Sequence, residues 1–260
     1  MRKARVNRSQ SRTEISLLLK RMAFSQTAVR LCEEEADAAE EAFLLKVLER
    51  EMASREEARR VRFLHEAAFP VYKSFEGFDF SSVKLPPALP KEELLSAGLV
   101  AKKQNLVLYG PVGTGKTHLA TALGVAACLQ QSIHTRFFTA AELVVKLSEV
   151  FKEGSLEKFL KSILRAELLI IDEWGYVPLD RQGAQLLFRI IAESYERRSI
   201  VLTTNLEFSK WGTIFTDDQM AAAIIDKLAH HGHIVLFEGE SYRMKHALMR
   251  QREEEELPTS

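Results

Sequence analysis

Cysteine is scarce in this 260-residue chain, and the two present, Cys32 and Cys128, lie far apart. Neither belongs to a metal or redox spacing, so a disulfide scaffold and a thiolate centre are excluded. Both are expected as reduced, buried thiols. Net charge is lacking too: 36 Lys and Arg balance 36 Asp and Glu. The whole chain is no polycation, and any grip on nucleic acid has to come from local patches. No apolar run reaches the roughly 18 residues that a membrane span needs. The N-terminus is basic but has no apolar stretch with a small-residue cleavage site, so a cytoplasmic protein without a membrane partner is expected. Proline and glycine are both missing from Thr13 to Ala68.

What remains is 46% hydrophobic and 28% charged, ordinary for a chain with a buried core. The length suits one medium domain plus an appendage. The run without proline or glycine carries apolar residues at helical spacing: Ile15, Leu18, Leu19 and Met22, then Phe43, Leu44, Val47 and Leu48, then Val61, Leu64 and Ala68. Three or four amphipathic helices are expected over 13–68, in a small N-terminal helical domain at 1–68. Such a piece is too small for catalysis and suits recognition of a partner or of DNA, or self-association. Charge is uneven here. Arg2, Lys3, Arg5, Arg8, Arg12, Lys20, Arg21 and Arg30 face a single acid, Glu14, within residues 1–30, and the next segment is acidic. The first dozen residues read as a disordered basic arm, equally a DNA-binding arm or a solvated tail. A linker, 69–98, follows with Phe75, Phe78, Phe80 and the proline-rich LPPALP. It is expected to dock on the core, with adenine contact as an added role.

The stretch that organises the rest is NLVLYGPVGTGKT. Four strand-forming residues, Leu106 to Tyr109, run into Gly110, Pro111, Val112, Gly113, Thr114, Gly115, Lys116 and Thr117. This is the G-x-x-x-x-G-K-[ST] pattern of a P-loop. Glycines let successive backbone N–H groups turn inward around phosphate oxygens. The helix that starts near Gly115 offers its positive end to the same phosphates. Lys116 adds a charge within reach of the β- and γ-phosphates, and the Thr117 hydroxyl is placed to ligate Mg²⁺. With His118, which opens the helix, these residues form the expected ATP-binding stretch.

Strands and helices then alternate, which predicts an α/β fold with a parallel sheet. Strands are expected at Ile133–Thr139, Leu168–Ile171, Ser199–Thr203 and Ile234–Phe237. Helices are expected at 116–130, 140–151, 156–165, 181–197 and 221–230. Leu168-Leu169-Ile170-Ile171 suits a strand buried on both faces. It ends in Asp172 and Glu173, at the edge where open α/β sheets bind ligands. Asp172 would hold Mg²⁺ and Glu173 would orient or deprotonate a water. Asn205, after the next strand, is placed to sense the γ-phosphate. His230, His231 and His233 invite a metal reading, but no acid or cysteine nearby in sequence completes a set. Their place at a helix end suits imidazolium against the dipole instead.

On these residues the chain resembles the AAA+ ATPases of the DnaA/DnaC branch, and most of all the IstB-like helpers of insertion-sequence transposition. The resemblance spans about 69–250 and rests on FEGFDF, LYGPVGTGKTHLA, FTAAELV, LLIIDEWGYVP, LTTNLEFSKW and IIDKLAHHGHIVLFEGESYR. It implies an AAA+ P-loop NTPase with a five-stranded parallel sheet at 99–250, a reduced C-terminal lid, a small all-α N-terminal domain at 1–68 and an acidic tail at 251–260. It assigns Lys116, Thr117, Asp172 and Glu173 to the Walker motifs, Asn205 to sensor 1 and Arg243 to sensor 2. Relatives carry Asp-Arg where this chain has Asp226-Lys227, and that arginine reaches a neighbour's ATP. Lysine keeps the charge but loses the planar fork, so slower hydrolysis, or a finger from Arg197 or Arg198, is expected.

The resemblance further implies a homo-oligomer with ATP at subunit interfaces that engages and deforms duplex DNA and recruits and stimulates a transposase. Lys146, Lys152, Lys158 and Lys161 are the candidate DNA contacts, and phosphate contacts of that kind would weaken steeply with salt. Two alternatives stand beside this reading. One is a helicase loader of the DnaC or DnaI type, although DnaI-like loaders often carry a cysteine cluster where this chain has only Cys32. The other is a non-hydrolysing, ATP-sensing DNA scaffold, which Lys227 favours and Glu173 and Asn205 oppose.

Overall fold

The computed structural model describes residues 2–175, 179–215 and 217–242, with side chains from residue 11 onward. The chain divides into two compact units, Met1–Arg60 and Val61–Ser260. No helix among the described residues is long and apolar enough to cross a membrane.

The first unit is helical: α1 (Arg2–Arg21), α2 (Gln26–Glu34) and the first part of α3 (Ala38–Glu66). The expected disordered arm is instead the start of α1. With no proline or glycine to stop it, the helix continues N-terminally from the apolar spacing at Ile15. Ile15, Leu19, Val29 and Leu48 form a small core. The starts of α2 and α3 are capped. Ser25 Oγ accepts from Ala28 N–H, and Asp37 Oδ1 accepts from Ala39 and Glu40 N–H. Arg12 Nε meets the buried Glu41 carboxylate at 2.6 Å.

In the second unit, residues 69–98 are more than a tether. They contain β1 (Val83–Lys84) and α4 (Lys91–Leu95), and they lead into α5 (Gly98–Ala101). Phe69, Phe75, Phe78 and Phe80 pack against the core, so the expected docking occurs. The α/β alternation follows as β2 (Asn105–Tyr109), α6 (Lys116–Gln131), β3 (Thr135–Thr139), α7 (Ala140–Lys152), α8 (Leu156–Ile163), β4 (Leu168–Trp174), α9 (Arg181–Ser194), β5 (Ser199–Thr204), a 3₁₀ turn (Phe208–Lys210), α10 (Gly212–Phe215), α11 (Asp218–His230) and β6 (Gly232–Phe237).

The sheet order is β1-β6-β2-β5-β4-β3. Five strands are parallel, as the sequence predicts. The sixth, β1, pairs antiparallel with β6 at the edge through Val83↔Phe237 and Lys84↔Leu236. Two residues of strand inside a proline-rich segment leave no alternation to read. The apolar run of β4 is buried on both faces: Leu168 and Ile170 join the layer beneath α4–α6, and Leu169 and Ile171 the layer beneath α7–α11. Each contributes roughly 1.5–3 kcal/mol by burial. Cys128 is buried, and that burial pushes its thiol pKa up, whereas Cys32 is only partly buried.

Candidate functional site

The loop Gly110–Gly115 joins β2 to α6 at the carboxyl edge of the sheet. Its geometry depends on glycine. Gly115 caps α6 at φ +100°, a left-handed conformation that L side chains rarely adopt. A Cβ there would stand 3.2 Å from the Phe78 ring. Phe78 comes from the docked segment, and its ring also lies 5.0 Å from that of His118. His118 Nε2 is 2.8 Å from Ser74 O. A carbonyl only accepts, so Nε2 carries the proton and the side chain of His118 is engaged by the linker. Lys116, 9% exposed, donates through Nζ to Gly110 O at 2.8 Å and Pro111 O at 2.6 Å. Thr114 Oγ1 donates to Pro111 O. Tyr242 N–H donates to Gly113 O at 3.0 Å, which brings the segment after β6 onto the loop. Arg243 lies outside the described residues, as do the expected lid and acidic tail.

Thr117, in the first turn of α6, donates its hydroxyl to Asp172 Oδ1 at 3.0 Å. Asp172 is buried at the end of β4, and the Thr203 hydroxyl, from β5, donates to the same Oδ1. Thr203 Oγ1 in turn accepts from Glu173 N–H at 3.0 Å. This sharing has a cause in the sheet register. β4 pairs with β5 at Ile171↔Leu202 and next at Trp174↔Thr204, so three steps on one strand match two on the other. The extra residue is a bulge. Glu173 adopts φ +59°, uncommon for a residue with a long side chain, and its side chain is exposed where regular alternation would tuck it into the sheet. A buried carboxylate beside a hydroxyl offers the hard oxygen donors that Mg²⁺ takes, so the residues present fit that ion.

Asn205 follows directly. Thr204 O accepts from Gly110 N–H at 3.2 Å, so Asn205, which is exposed, stands beside the start of the loop. The structure therefore brings Lys116, Thr117, Asp172, Glu173 and Asn205 to one edge. Sequence reasoning missed Thr203, which reads in isolation as an ordinary β-branched strand residue. Only the pairing of β4 with β5 reveals it.

Lys227, Arg197 and Arg198 lie at the opposite edge. Asn105 opens β2 and binds the Lys227 carbonyl, and five residues of strand, about 16 Å, lead from there to Gly110. Arg197 is exposed. Arg198 is half-buried with its Nε and Nη1 unpaired among the described residues, and burial first, then Arg197, depresses its pKa. Lys227 Nζ lies 4.8 Å from the Tyr195 ring centre. The expected DNA contacts are Lys146, paired with Glu149 at 3.1 Å, and Lys152, Lys158 and Lys161, all exposed on α7 and α8.

Comparison with known proteins places this geometry. The family described as IstB-like ATP binding protein matches residues 13–250. The protein named for ATP binding in insertion sequence IS5376 of Geobacillus stearothermophilus is 39% identical over 204 residues, covering 78% of this chain and 80% of that one. Its counterpart in insertion sequence IS21 of Pseudomonas aeruginosa is 38% identical over 206 residues, covering 78% and 76%. Among solved structures, a DNA replication initiation factor superposes with a TM-score of 0.50 at 22% identity, over 65% of this chain and 50% of that one, a likeness of fold. With its P-loop, its acid-tipped buried strand and its 6-2-5-4-3 parallel sheet, the chain has an AAA+ fold and belongs to the IstB-like ATP-binding protein family.

Proposed function

We propose that this chain hydrolyses ATP with Mg²⁺ and serves as a helper of DNA transposition, assembling on duplex DNA and recruiting a transposase. The observation that carries the hydrolytic part is the Thr117–Asp172–Thr203–Glu173 constellation beside the P-loop. Glycine-loop N–H groups and Lys116 hold the phosphates, the amine exchanging its carbonyl partners for phosphate oxygens. Thr117 and Asp172 hold Mg²⁺, which neutralises charge on those oxygens when bound. Glu173, raised out of the pleat by the bulge, orients a water and takes its proton. Asn205 donates to the γ-phosphate or to that water.

The transposition part rests on family membership and on what the relatives are named for. Lys152, Lys158, Lys161 and the basic start of α1 are the surfaces proposed for DNA. The test is ATP turnover by the purified full chain with and without long duplex DNA, with Glu173→Gln in parallel. We expect DNA-stimulated turnover that falls about 10²-fold or more in the variant while ATP binding persists. A chain that binds ATP yet releases no phosphate with DNA would overturn hydrolysis. Stable capture of a hexameric helicase instead of duplex DNA would overturn the transposition role.

A further inference from the structure

The fold assembles a second cluster of ligating side chains, at the sheet edge away from the P-loop. Glu196 lies in the turn between α9 and β5, while His230 and His231 end α11. One ligand atom from each of the three lies within 4.8 Å of the others, and all three residues are exposed. No local spacing announces this, because the pair His231–Glu196 is separated by 35 positions. The acid that the sequence around the histidines lacks is delivered by the neighbouring strand connection.

We propose that Glu196, His230 and His231 form a binding site for a borderline divalent transition-metal ion of the Zn²⁺ class, clipping the α9–β5 turn to the α11–β6 turn. The donor set is two imidazoles and one carboxylate, which suits Zn²⁺ over Mg²⁺ or Ca²⁺. His231 Nε2 and Glu196 Oε1 stand 2.8 Å apart, joined by a proton. When a metal ion binds, the neutral imidazole of His231 keeps its single proton on Nδ1, so Nε2 and the Glu196 Oε1 both become ligands. Tyr195 Oη lies 2.9 Å from His230 Nδ1, which leaves Nε2 as the ligating atom. With metal on Nε2 the ring carries its proton on Nδ1 and donates it to Tyr195. That outer hydrogen bond is the kind that orients metal-bound histidines.

The backbone beneath is held in place. Asn105 Nδ2 donates to Lys227 O and Asn105 N–H to His231 O, while Asn105 Oδ1 accepts from Ile200 N–H. One buried side chain thus ties both ligand-bearing turns together. Tetrahedral ligands about 2.0–2.2 Å from zinc stand about 3.4 Å from one another, a closure that rotation of three exposed side chains supplies. Three protein ligands leave a fourth position for water or for a group from another molecule.

The test is titration of the tag-free full chain with Zn²⁺ against a chromophoric chelator, in excess Mg²⁺ so that the P-loop site stays occupied by the harder ion. Thermal melting with and without Zn²⁺ runs alongside. We expect one equivalent bound and a raised melting temperature. His230→Ala/His231→Ala and, separately, Glu196→Gln should each weaken binding about tenfold or more and remove the thermal shift. Their metal-free melting temperatures should match that of the wild-type chain, which separates lost ligation from lost folding. No stoichiometric binding by the wild-type chain would overturn the proposal. So would binding that survives in the double variant, because the metal would then sit on other groups.

Discussion

Thr203 has one hydroxyl with two dependants, the Asp172 carboxylate and the Glu173 N–H. Replacing it by valine keeps the shape and removes both bonds. Asp172 keeps Thr117, but Glu173 loses the contact that fixes its bulge, at a cost of about 1–3 kcal/mol. On the proposed mechanism, ATP turnover by Thr203→Val should fall about tenfold or more with KM for ATP little changed, since a small misplacement of a reacting group is costly. Thr203→Ser should restore most of it. Equal losses in Thr203→Ser and Thr203→Val would show that packing, not the hydroxyl, matters. A second residue makes a pH prediction. His233 Nε2 is buried and unpaired among the described residues. Burial lowers its pKa below the ordinary 6.5, with Glu93 opposing and Lys102 assisting. The neutral form is thus preferred in the folded chain. Above pH 6.5 both states are neutral and the stabilisation is complete. As pH falls below that value the unfolded chain takes up the proton first, so stability declines until the folded chain titrates as well. The melting temperature should drop between about pH 7 and pH 5, and His233→Gln should flatten that part of the profile. A slope identical in both proteins would assign it to other groups. At this scale the sequence was legible where a motif fixes the spacing, as at Lys116, Thr117 and Asp172. It was silent on Thr203 and Glu196, whose partners arrive from other strand connections.

The elements were the most legible level. The unbroken apolar run of β4 and the repeated alternation of apolar strands with amphipathic helices are local signals, and a parallel sheet follows from them. β1 and α4 were hidden because short pieces among prolines show no periodicity, and their form is imposed by docking on β6 and the core. Asn105 shows what such imposed order rests on. It is buried, and its amide serves the C-terminal carbonyls of α11 and the Ile200 N–H of β5. Asn105→Leu fills similar volume but leaves those groups unpaired, and should destabilise the second unit by about 1–3 kcal/mol per group left unsatisfied. Chemical denaturation of the full chain would measure this. A change under about 0.5 kcal/mol would mean that the turns carry their own hydrogen bonds.

At the scale of the molecule, the two edges of one sheet carry different halves of the proposed chemistry. The phosphate loop, Asp172, Glu173 and Asn205 lie at the carboxyl edge, and Lys227 and Arg197 lie at the amino edge, about 16 Å of strand away. A side chain at the amino edge therefore serves the ATP of another protomer, if it serves any. Head-to-tail packing, which presents one edge to the other, is the arrangement that lets it do so. Lysine at 227 supplies charge without the bidentate fork, so Lys227→Arg should raise turnover about tenfold or more under assembling conditions. Geometry offers a sharper experiment. Lys227→Ala keeps its own P-loop but lacks the trans residue, and Lys116→Ala has the reverse defect. Each alone should be nearly inactive. Mixed one to one, about a quarter of head-to-tail interfaces pair an intact P-loop with an intact Lys227, and turnover should recover in that proportion. Recovery separates action between protomers from damage within one. Two inactive variants that stay inactive when mixed, with Lys227→Arg no faster than the wild-type chain, would remove Lys227 from the site and move attention to Arg197, the exposed arginine on the same edge.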